Sequence, residues 1–168
     1  MAKRLIKVAL KRKRKNITNY EFRRKILSGS KPRIVIRKTN RYIIVQFVES
    51  EAALDKVKLG LSSKELLKYG YPSKTSIKNK IAAYLTGYLM GMLLNKSQKT
   101  NECVVDIGMQ KSTAKNRLYS LIKGILDAGI KLAYSEEMLP TIEELQREAK
   151  KLGINFETIK SKIMENNS

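Results

Sequence analysis

The segment that most constrains the fold is a pair of apolar runs within residues 31–48, KPRIVIRKTNRYIIVQFV, both rich in β-branched residues. Such runs favour β-strands, and a two-residue turn at Thr39-Asn40 would join them into an antiparallel hairpin with Ile36 opposite Ile43. Because strand side chains alternate, one face of the hairpin is aliphatic and the other carries cations. The two faces are Ile34, Ile36, Ile43 and Val45 on one side, and Arg33, Val35, Arg37, Tyr42, Ile44 and Gln46 on the other.

A hairpin alone is not stable in water, so its aliphatic face requires helices packed against it. The clearest helix follows the turn at Pro72, where Ser73, Thr75 or Ser76 is the expected cap. Its apolar residues recur at helical spacing and predict one buried face: Ile77, Ile81, Tyr84, Leu85, Tyr88, Leu89 and Met92. Gly87 and Gly91 in this helix predict close packing against the sheet.

The remaining patterns complete a mixed sheet. Residues 49–53 are expected to form a loop, and residues 56–59 a third strand with Val57 and Leu59 pointing inward. Ser62 and Glu65 have the spacing of a capping box and open a short helix that ends at Gly70. Later elements are a strand over 103–107, a polar basic loop over 108–116, a helix capped by Thr113 or Asn116, and a strand over 130–132. The predicted order βββααβαβ is an α/β fold, a mixed sheet with helices packed on one face.

Charge divides the chain unevenly. The net charge is +20, and 16 of the 35 basic residues but only one of the 15 acids lie in the first 41 residues. So many cations repel one another unless a polyanion neutralises them, which indicates a nucleic-acid partner for the N-terminal arm. A short helix over 18–27, capped by Thr18 or Asn19, is expected to end the arm.

The composition argues against several other classes of protein. The chain has no histidine, the commonest general base and transition-metal ligand, and its single Cys103 lies in an apolar run as expected for a buried structural thiol. One cysteine excludes an intramolecular disulfide and suits a reducing, intracellular compartment. No secretory signal is predicted in the charged first residues. A minor alternative is an amphipathic membrane-surface or transit helix with Leu5, Val8 and Ala9 on its apolar face. The KRKRK run that follows argues against it, because this run has no apolar face.

A catalytic site finds little support in the sequence. Asp106 and Asp127 are the acids that a Mg²⁺-dependent nuclease would use, but no spacing places a second carboxylate beside Asp106. Asp106 is more simply a strand-end residue that hydrogen-bonds the loop at Gly108. No phosphate-binding loop, dinucleotide fingerprint or paired nucleophile is present, so no catalytic residue, metal or cofactor is predicted.

The C-terminal residues form a third region. Thr141 and Glu144 form a capping box after Pro140, and two short charged helices separated at Gly153 are expected to form a solvated or protein-facing tail. We therefore divide the chain into a basic N-terminal arm (1–28), a mixed α/β domain (29–140) and a charged helical tail (141–168).

Five ordered blocks carry a resemblance to a known family. The blocks SGSKPRIVIRKTNRYIIVQFVE, SSKELLKYG, AAYLTGYLMG, CVVDIG and LIKGILDAGIKLAYSEEMLP, between about Lys13 and Pro140, resemble the L-eighteen family of large-subunit ribosomal proteins in its archaeal and eukaryotic form. The resemblance implies a non-enzymatic, cytoplasmic protein that binds 5S rRNA in the central protuberance. It also implies contacts of the arm with large-subunit rRNA and of the protein with its neighbours, including the L-five family member.

Three positions depart from that family's usual pattern. Its G-K-T-D-Y motif reads here from Lys15 to Tyr20 and lacks the glycine and the acid. The loop after CVVDIG has Ser112 and Lys115 where the family usually has proline and a later glycine. Tyr134 replaces a histidine. Cations are retained in the loop, so the departures concern local geometry and not the class of protein.

The sequence thus predicts an RNA-binding structural protein of the large ribosomal subunit, with another RNA-binding assembly or RNA-processing factor as the alternative. Lys and Arg are expected to neutralise phosphates, and exposed aromatics to stack on bases. The expected RNA-binding residues are Lys3, Arg4, Lys7, Lys11, Arg12, Lys13, Arg14, Lys15, Tyr20, Arg23, Arg24, Lys31, Arg33, Arg37, Lys38, Arg41, Tyr42, Lys111, Lys115 and Arg117.

Overall fold

The computed structural model describes residues 8–29, 31–51, 54–97 and 102–167. Its helices are α1 (Lys11–Arg14), α2 (Tyr20–Leu27), α3 (Lys80–Lys96), α4 (Arg117–Asp127), α5 (Ile142–Lys151) and α6 (Phe156–Asn167). Its strands are β1 (Arg33–Lys38), β2 (Ile43–Glu51), β3 (Leu54–Ser62), β4 (Glu102–Asp106) and β5 (Lys131–Leu132). Short 3₁₀ helices span Ser63–Tyr69 and Glu136–Met138. Within these ranges no helix is long and apolar enough to cross a membrane.

The strands form one five-stranded sheet in the order β3-β2-β1-β4-β5. The pairs β1–β2 and β2–β3 are antiparallel, whereas β1–β4 and β4–β5 are parallel. The helix α4 connects the parallel neighbours β4 and β5, as the predicted βαβ unit requires. The mixed α/β fold predicted from the sequence is therefore confirmed.

The hairpin of β1 and β2 forms, but its predicted register is wrong by two residues. Ile36 lies opposite Val45 and Lys38 opposite Ile43, so a four-residue loop, Thr39–Tyr42, replaces the predicted two-residue turn. Thr39 stabilises this loop: its hydroxyl accepts from the Tyr42 amide at 2.9 Å, and its own amide donates to the Tyr42 carbonyl at 2.9 Å. A two-residue shift leaves every side chain on its predicted face, because the strand period is two.

The second hairpin differs from the prediction. The first residues of the predicted loop, Glu49–Glu51, belong to β2. The pairing Phe47–Leu59 is followed by Val48–Val57, so Lys58 is an extra residue in β3 and forms a bulge. The bulge turns Val57 away from the core, so its side chain is 55% exposed to solvent. Leu59 packs against the core. The predicted inward position of Val57 is therefore wrong.

The long helix α3 is buried on nearly all sides instead of on one predicted face. Ala83 and Met90 face the core that the sheet covers, whereas Tyr84 and Leu85 belong to a second apolar cluster on the far side. The helix begins later than predicted, since its cap is Asn79, whose side chain accepts from the Ala82 amide at 2.7 Å.

The glycines of α3 contact α4, not the sheet as predicted. A Cβ added at Gly87 would lie 2.9 Å from the Leu121 carbonyl carbon, and one at Gly91 would overlap the Ala128 side chain. From α4, a Cβ at Gly124 would lie 2.8 Å from the Tyr88 nitrogen. The backbones of the two helices are in contact at these positions, and only residues without a side chain fit between them.

The C-terminal helices are part of the fold. Thr141 and Glu144 form the predicted capping box of α5. Beyond it, the apolar face of α5 and α6 covers α3, with the Phe156 ring 5.2 Å from that of Tyr84. The buried residues of this face are Leu145, Ala149, Ile154, Phe156, Ile159 and Ile163. A solvated tail is excluded for these residues, while the division of the chain into three regions stays a prediction.

Cys103 is the buried structural thiol that the sequence predicts. It is 3% exposed, and burial raises the pKa of its thiol to about 11. Because the thiolate is the reactive form, we expect iodoacetamide to leave the folded protein unmodified at pH 8 and to alkylate it in denaturant. Mass spectrometry after timed exposure measures this, and rapid labelling of the folded protein would contradict it.

Candidate nucleic-acid interface

The helix α2 connects the basic arm to the sheet. The side chain of Asn19 caps it by accepting from the Phe22 amide at 3.1 Å, which confirms one of the two predicted caps. Arg23 then reaches across to Asp55 of β3 with a 2.8 Å ion pair. A cavity of about 370 Å³ lies between the arm and the end of the sheet, with Arg12 on one side and Gly108 on the other. The arm therefore rests against the non-aliphatic face of the sheet.

A buried ion-pair network lies on that face. Arg33, which the sequence assigns to RNA, is 2% exposed. Its guanidinium donates to Asp55 at 2.6 Å and Ser50 at 3.0 Å, and it lies 3.5 Å from Asp106. Burial by itself would raise the pKa of the Asp55 carboxyl, but hydrogen bonds from Ser50 and Arg23 and the charges of Arg33 and Arg23 outweigh it and lower that pKa. Arg33 thus holds the sheet and its hairpin together and, being buried, has almost no surface to offer an RNA.

Arg37 and Asp106 meet at the ends of two parallel strands. Arg37 donates to the Asp106 carbonyl at 2.8 Å and to the Ile36 carbonyl at 2.9 Å, and its second nitrogen lies 3.3 Å from both carboxylate oxygens. Asp106 also accepts from the Gly108 amide at 2.8 Å, which confirms the hydrogen bond predicted from the sequence. The Arg37 side chain remains 42% exposed, so part of it faces solvent beside the arm.

The cations expected to bind RNA divide into two groups. Five of them form ion pairs with carboxylates: Arg23, Lys31, Arg33, Arg37 and Lys115. In the part of the chain that the structure describes, the others have no carboxylate within 4.0 Å. These are Lys11, Arg12, Lys13, Arg14, Lys15, Arg24, Lys38, Arg41, Lys111 and Arg117. Lys3, Arg4 and Lys7 lie outside the described residues.

The fold brings separate cationic segments to one edge of the sheet. The hairpin loop Thr39–Tyr42 follows β1, and the loop over 108–116 comes after β4. Because β1 and β4 are parallel, both loops lie at the same edge of the sheet. Gln110 ties them together: its side chain donates to the Ile36 carbonyl at 2.7 Å and accepts from the Lys38 amide at 3.1 Å. The arm adjoins the second loop. We call this region, formed by α1, the hairpin loop and the loop over 108–116, the cationic edge.

The two expected stacking residues differ in accessibility. Tyr20 is 36% exposed at the start of α2. The ring of Tyr42 has the Lys64 ammonium 4.5 Å from its centre, so one of its faces already makes a cation–π contact. The sequence analysis missed Phe22, which is 42% exposed on the same helix as Tyr20. The available signal in the sequence was its position, two residues after Tyr20 and directly before Arg23 and Arg24.

Two departures from the family pattern occur where the backbone is left-handed. Asn16, within the segment from Lys15 to Tyr20 that lacks the glycine of the motif, has φ of +51°, and Lys115 in the loop after CVVDIG has φ of +54°. Asparagine tolerates this conformation better than most residues. Lys115 is held by its amide, which donates to the Met138 carbonyl at 2.9 Å, and by its ammonium, which lies 2.6 Å from Glu144. Both loops therefore keep a backbone conformation that glycine favours, without glycine.

Comparison with known proteins identifies the family of the chain. The family described as "Ribosomal large subunit proteins 60S L5, and 50S L18" matches residues 4–102, which include the arm, the hairpins and α3. The chain belongs to this family of large-subunit ribosomal proteins. Membership makes it a ribosomal, RNA-associated protein that acts in translation and is located with the ribosome in the cytoplasm. The resemblance inferred from the sequence is confirmed.

Individual relatives extend the similarity beyond α3. The large ribosomal subunit protein uL18 of Korarchaeum cryptofilum is 46% identical over 142 residues, which cover 84% of this chain and 71% of the relative. The uL18 protein of Methanothrix thermoacetophila is 35% identical over 164 residues, 94% of this chain and 95% of the relative. Because it covers 94% of this chain, the similarity to the second relative includes α5.

Proposed function

We propose that this protein binds 5S rRNA through the cationic edge and helps to attach it to large-subunit rRNA in the central protuberance. The observation that carries the proposal is the convergence of α1 and two loops, whose cations lack carboxylate partners in the described parts of the chain, apart from Lys115. Family membership supports an RNA partner from the ribosome. The neighbouring protein of the L-five family is the expected protein partner.

Binding through this edge follows from simple electrostatics. Each Lys or Arg that neutralises a phosphate releases a condensed counterion, which makes affinity strong and salt-dependent. Exposed aromatics such as Tyr20 supply a stacking surface for unpaired bases. Carboxylates beside Arg23 and Arg37 fix these side chains in place, so they line the interface while the unpaired cations supply the net charge.

The role we propose is structural and not catalytic. Asp106 is held by two arginines and the Gly108 amide. Asp127 belongs to a separate cluster, where it accepts from the Tyr84 hydroxyl at 2.8 Å and the Lys123 ammonium at 2.7 Å. Each carboxylate is thus neutralised by its own partners, and the two do not form the paired acids that a metal-dependent nuclease uses.

The direct test is selective capture of RNA. Immobilised protein is mixed with total RNA from a related archaeon, and bound RNA is sized and sequenced. We expect one small species, 5S rRNA, together with fragments of large-subunit rRNA. A smear of lengths would contradict the proposal. Binding measured separately for 5S rRNA and for a transfer RNA of similar charge distinguishes specific from general affinity.

Deleting residues 1–15 tests the contribution of the arm. The deletion removes eight cations, and α1 buries none of its residues, so the fold should survive. We expect weaker 5S rRNA binding and a smaller slope of log Kd against log salt, by roughly 0.7–0.9 for each phosphate that the arm no longer neutralises. Filter binding at several salt concentrations measures the slope, with circular dichroism as the control for folding. An unchanged slope would exclude the arm from the interface.

A further inference from the structure

We propose a second phosphate-binding surface that adjoins the cationic edge and shares Arg41 with it, formed by five basic residues from four segments of the chain. We call it the tip patch, and its members are Arg41, Lys64, Lys74, Lys78 and Arg117. It rests on the proposed function, in that the phosphates belong to the same bound RNA. Its three lysines, Lys64, Lys74 and Lys78, were not among the residues that the sequence predicts to bind RNA.

The tip patch has a concave shape. The hairpin loop and the turn before α3 flank a shallow, open cavity of about 450 Å³, which is lined by Arg41 from the loop and by Lys74 and Lys78 from the turn. Leu67 of the 3₁₀ helix contributes an apolar side chain to the lining. A concave surface with cations from both segments fits a convex, charged strand such as a phosphodiester backbone.

Hydrogen bonds between the segments hold the tip patch in one geometry. Lys78 donates to the Asn40 carbonyl at 3.0 Å, which ties the turn to the hairpin loop. Arg117, at the start of α4, donates to the Lys78 carbonyl at 3.1 Å. Lys64 lies 4.5 Å above the Tyr42 ring. These contacts fix Lys64, Lys78 and Arg117 before binding, so these three side chains lose little conformational entropy when an anion arrives.

The charge of the tip patch is not balanced within the protein. None of its five cations has a carboxylate within 4.0 Å in the described parts of the chain, and Glu65, an acid close by in sequence, is paired with Lys68 at 2.7 Å. Other lysines of the body, such as Lys58 and Lys80, do have acidic partners. Like charges held together by the fold cost free energy that only an external anion recovers.

The position of the tip patch indicates RNA as the anion. Arg41 lies in the hairpin loop and Arg117 at the end of the loop over 108–116, so the tip patch continues the cationic edge. One RNA molecule long enough to cover the edge reaches both surfaces. Two linked contact regions on one RNA raise affinity beyond either alone, because the second contact forms at high effective concentration.

The test neutralises two exposed cations that lie outside the cationic edge and make none of the hydrogen bonds described between the segments. In the variant Lys64→Gln/Lys74→Gln the bonds of Lys78 and Arg117 remain. The matched control is Lys150→Gln/Lys151→Gln, which makes the same charge change at two exposed residues of α5. Kd for 5S rRNA is measured from 50 to 300 mM KCl for both variants and the wild type, with thermal melting as the control for folding.

We expect the tip-patch variant to bind about ten-fold more weakly at moderate salt, with a slope reduced by roughly 1–2, while the control stays close to the wild type. Hydroxyl-radical footprinting should show reduced protection at nucleotides other than those affected by arm deletion. Equal behaviour of the two variants would overturn the tip patch. A variant that binds RNA normally but no longer binds an acidic ribosomal protein would also overturn it and assign the surface to protein.

The same measurements separate this inference from the proposed function. If the wild type prefers 5S rRNA and the tip-patch variant is unchanged, the second surface is wrong and the function stands. If the wild type has no preference for 5S rRNA over the transfer RNA, the proposed function fails. In that case a reduced slope of the variant on either RNA still supports phosphate binding at the patch, and an unchanged slope overturns it.

Discussion

Replacing Gly124 with alanine is expected to lower the free energy of unfolding by at least about 2 kcal/mol, although alanine is the better helix former. A Cβ at this position would overlap the Tyr84 carbonyl oxygen and lie 2.8 Å from the Tyr88 nitrogen. These are backbone atoms of a neighbouring helix and cannot move aside independently. The helices α3 and α4 must separate, which disturbs the apolar clusters on both sides of α3.

A matched control exists in the same chain. A Cβ at Gly60 of β3 would meet only the Gln46 side chain at 3.8 Å, an ordinary contact, so Gly60→Ala should leave stability nearly unchanged. Urea unfolding followed by circular dichroism compares the two variants. If Gly124→Ala were as stable as Gly60→Ala, the close approach of α3 and α4 would be refuted.

Replacing Asp55 with alanine is expected to cost about 2–3 kcal/mol of folding free energy, somewhat less than for a fully buried pair because Asp55 is itself 30% exposed. The change leaves the buried Arg33 guanidinium with Asp106 at 3.5 Å as its only remaining ion pair in the described residues. The cost arises from the uncompensated buried charge and not from the lost attraction alone. Glu51→Ala removes an acid from the same hairpin and should have little effect, because the ion-pair partner of Glu51 among the described residues is the exposed Lys56.

A double substitution separates the two contributions. Arg33→Met removes the buried charge, so Arg33→Met/Asp55→Ala should be more stable than Asp55→Ala alone. Thermal or urea unfolding of the four proteins of this cycle measures the coupling free energy. Strictly additive effects would mean that Arg33 and Asp55 do not interact in solution.

The same ion pair predicts a pH dependence with a definite sign. The pKa of Asp55 is lower in the folded protein than its ordinary value of 3.8, so the folded state favours the charged form. The stability that this carboxylate contributes is fully present above that ordinary value and is lost as the pH falls below it through the folded pKa. In Asp55→Ala this part of the acid-induced loss should be absent, which urea unfolding at a series of acidic pH values measures.

Several features of the fold and of the candidate site followed from local patterns. The faces of the first hairpin were correct despite the register error, because alternation depends on parity and not on turn length. The strand predicted over 103–107 is present and lies one residue earlier, at Glu102–Asp106. The hydrogen bond of Asp106 to Gly108 was also predicted, and so were the caps Asn19, Asn116 and Thr141. All of these involve residues close together in the chain, where composition and spacing act directly.

Other features were decided by contacts between residues distant in sequence. The position of Arg33 on the non-aliphatic face of a strand predicted an RNA contact. Arg33 is instead buried, because the bulged hairpin brings Asp55 over it. The glycines of α3 were predicted to pack against the sheet, but they contact α4. The C-terminal helices were predicted to form a charged tail, but their apolar residues complete the burial of α3.

By itself, the sequence determined the family, the mixed α/β class and the excess of positive charge in the arm, since ordered blocks, local periodicity and composition need no knowledge of distant partners. Only the tertiary structure decided which cations remain without a carboxylate and which of them lie together. Lys74 and Arg41 are 33 positions apart, and nothing in either segment indicates that they line one cavity. Ion pairing and concave surfaces arise from the packing of distant segments, so they are properties of the folded chain alone.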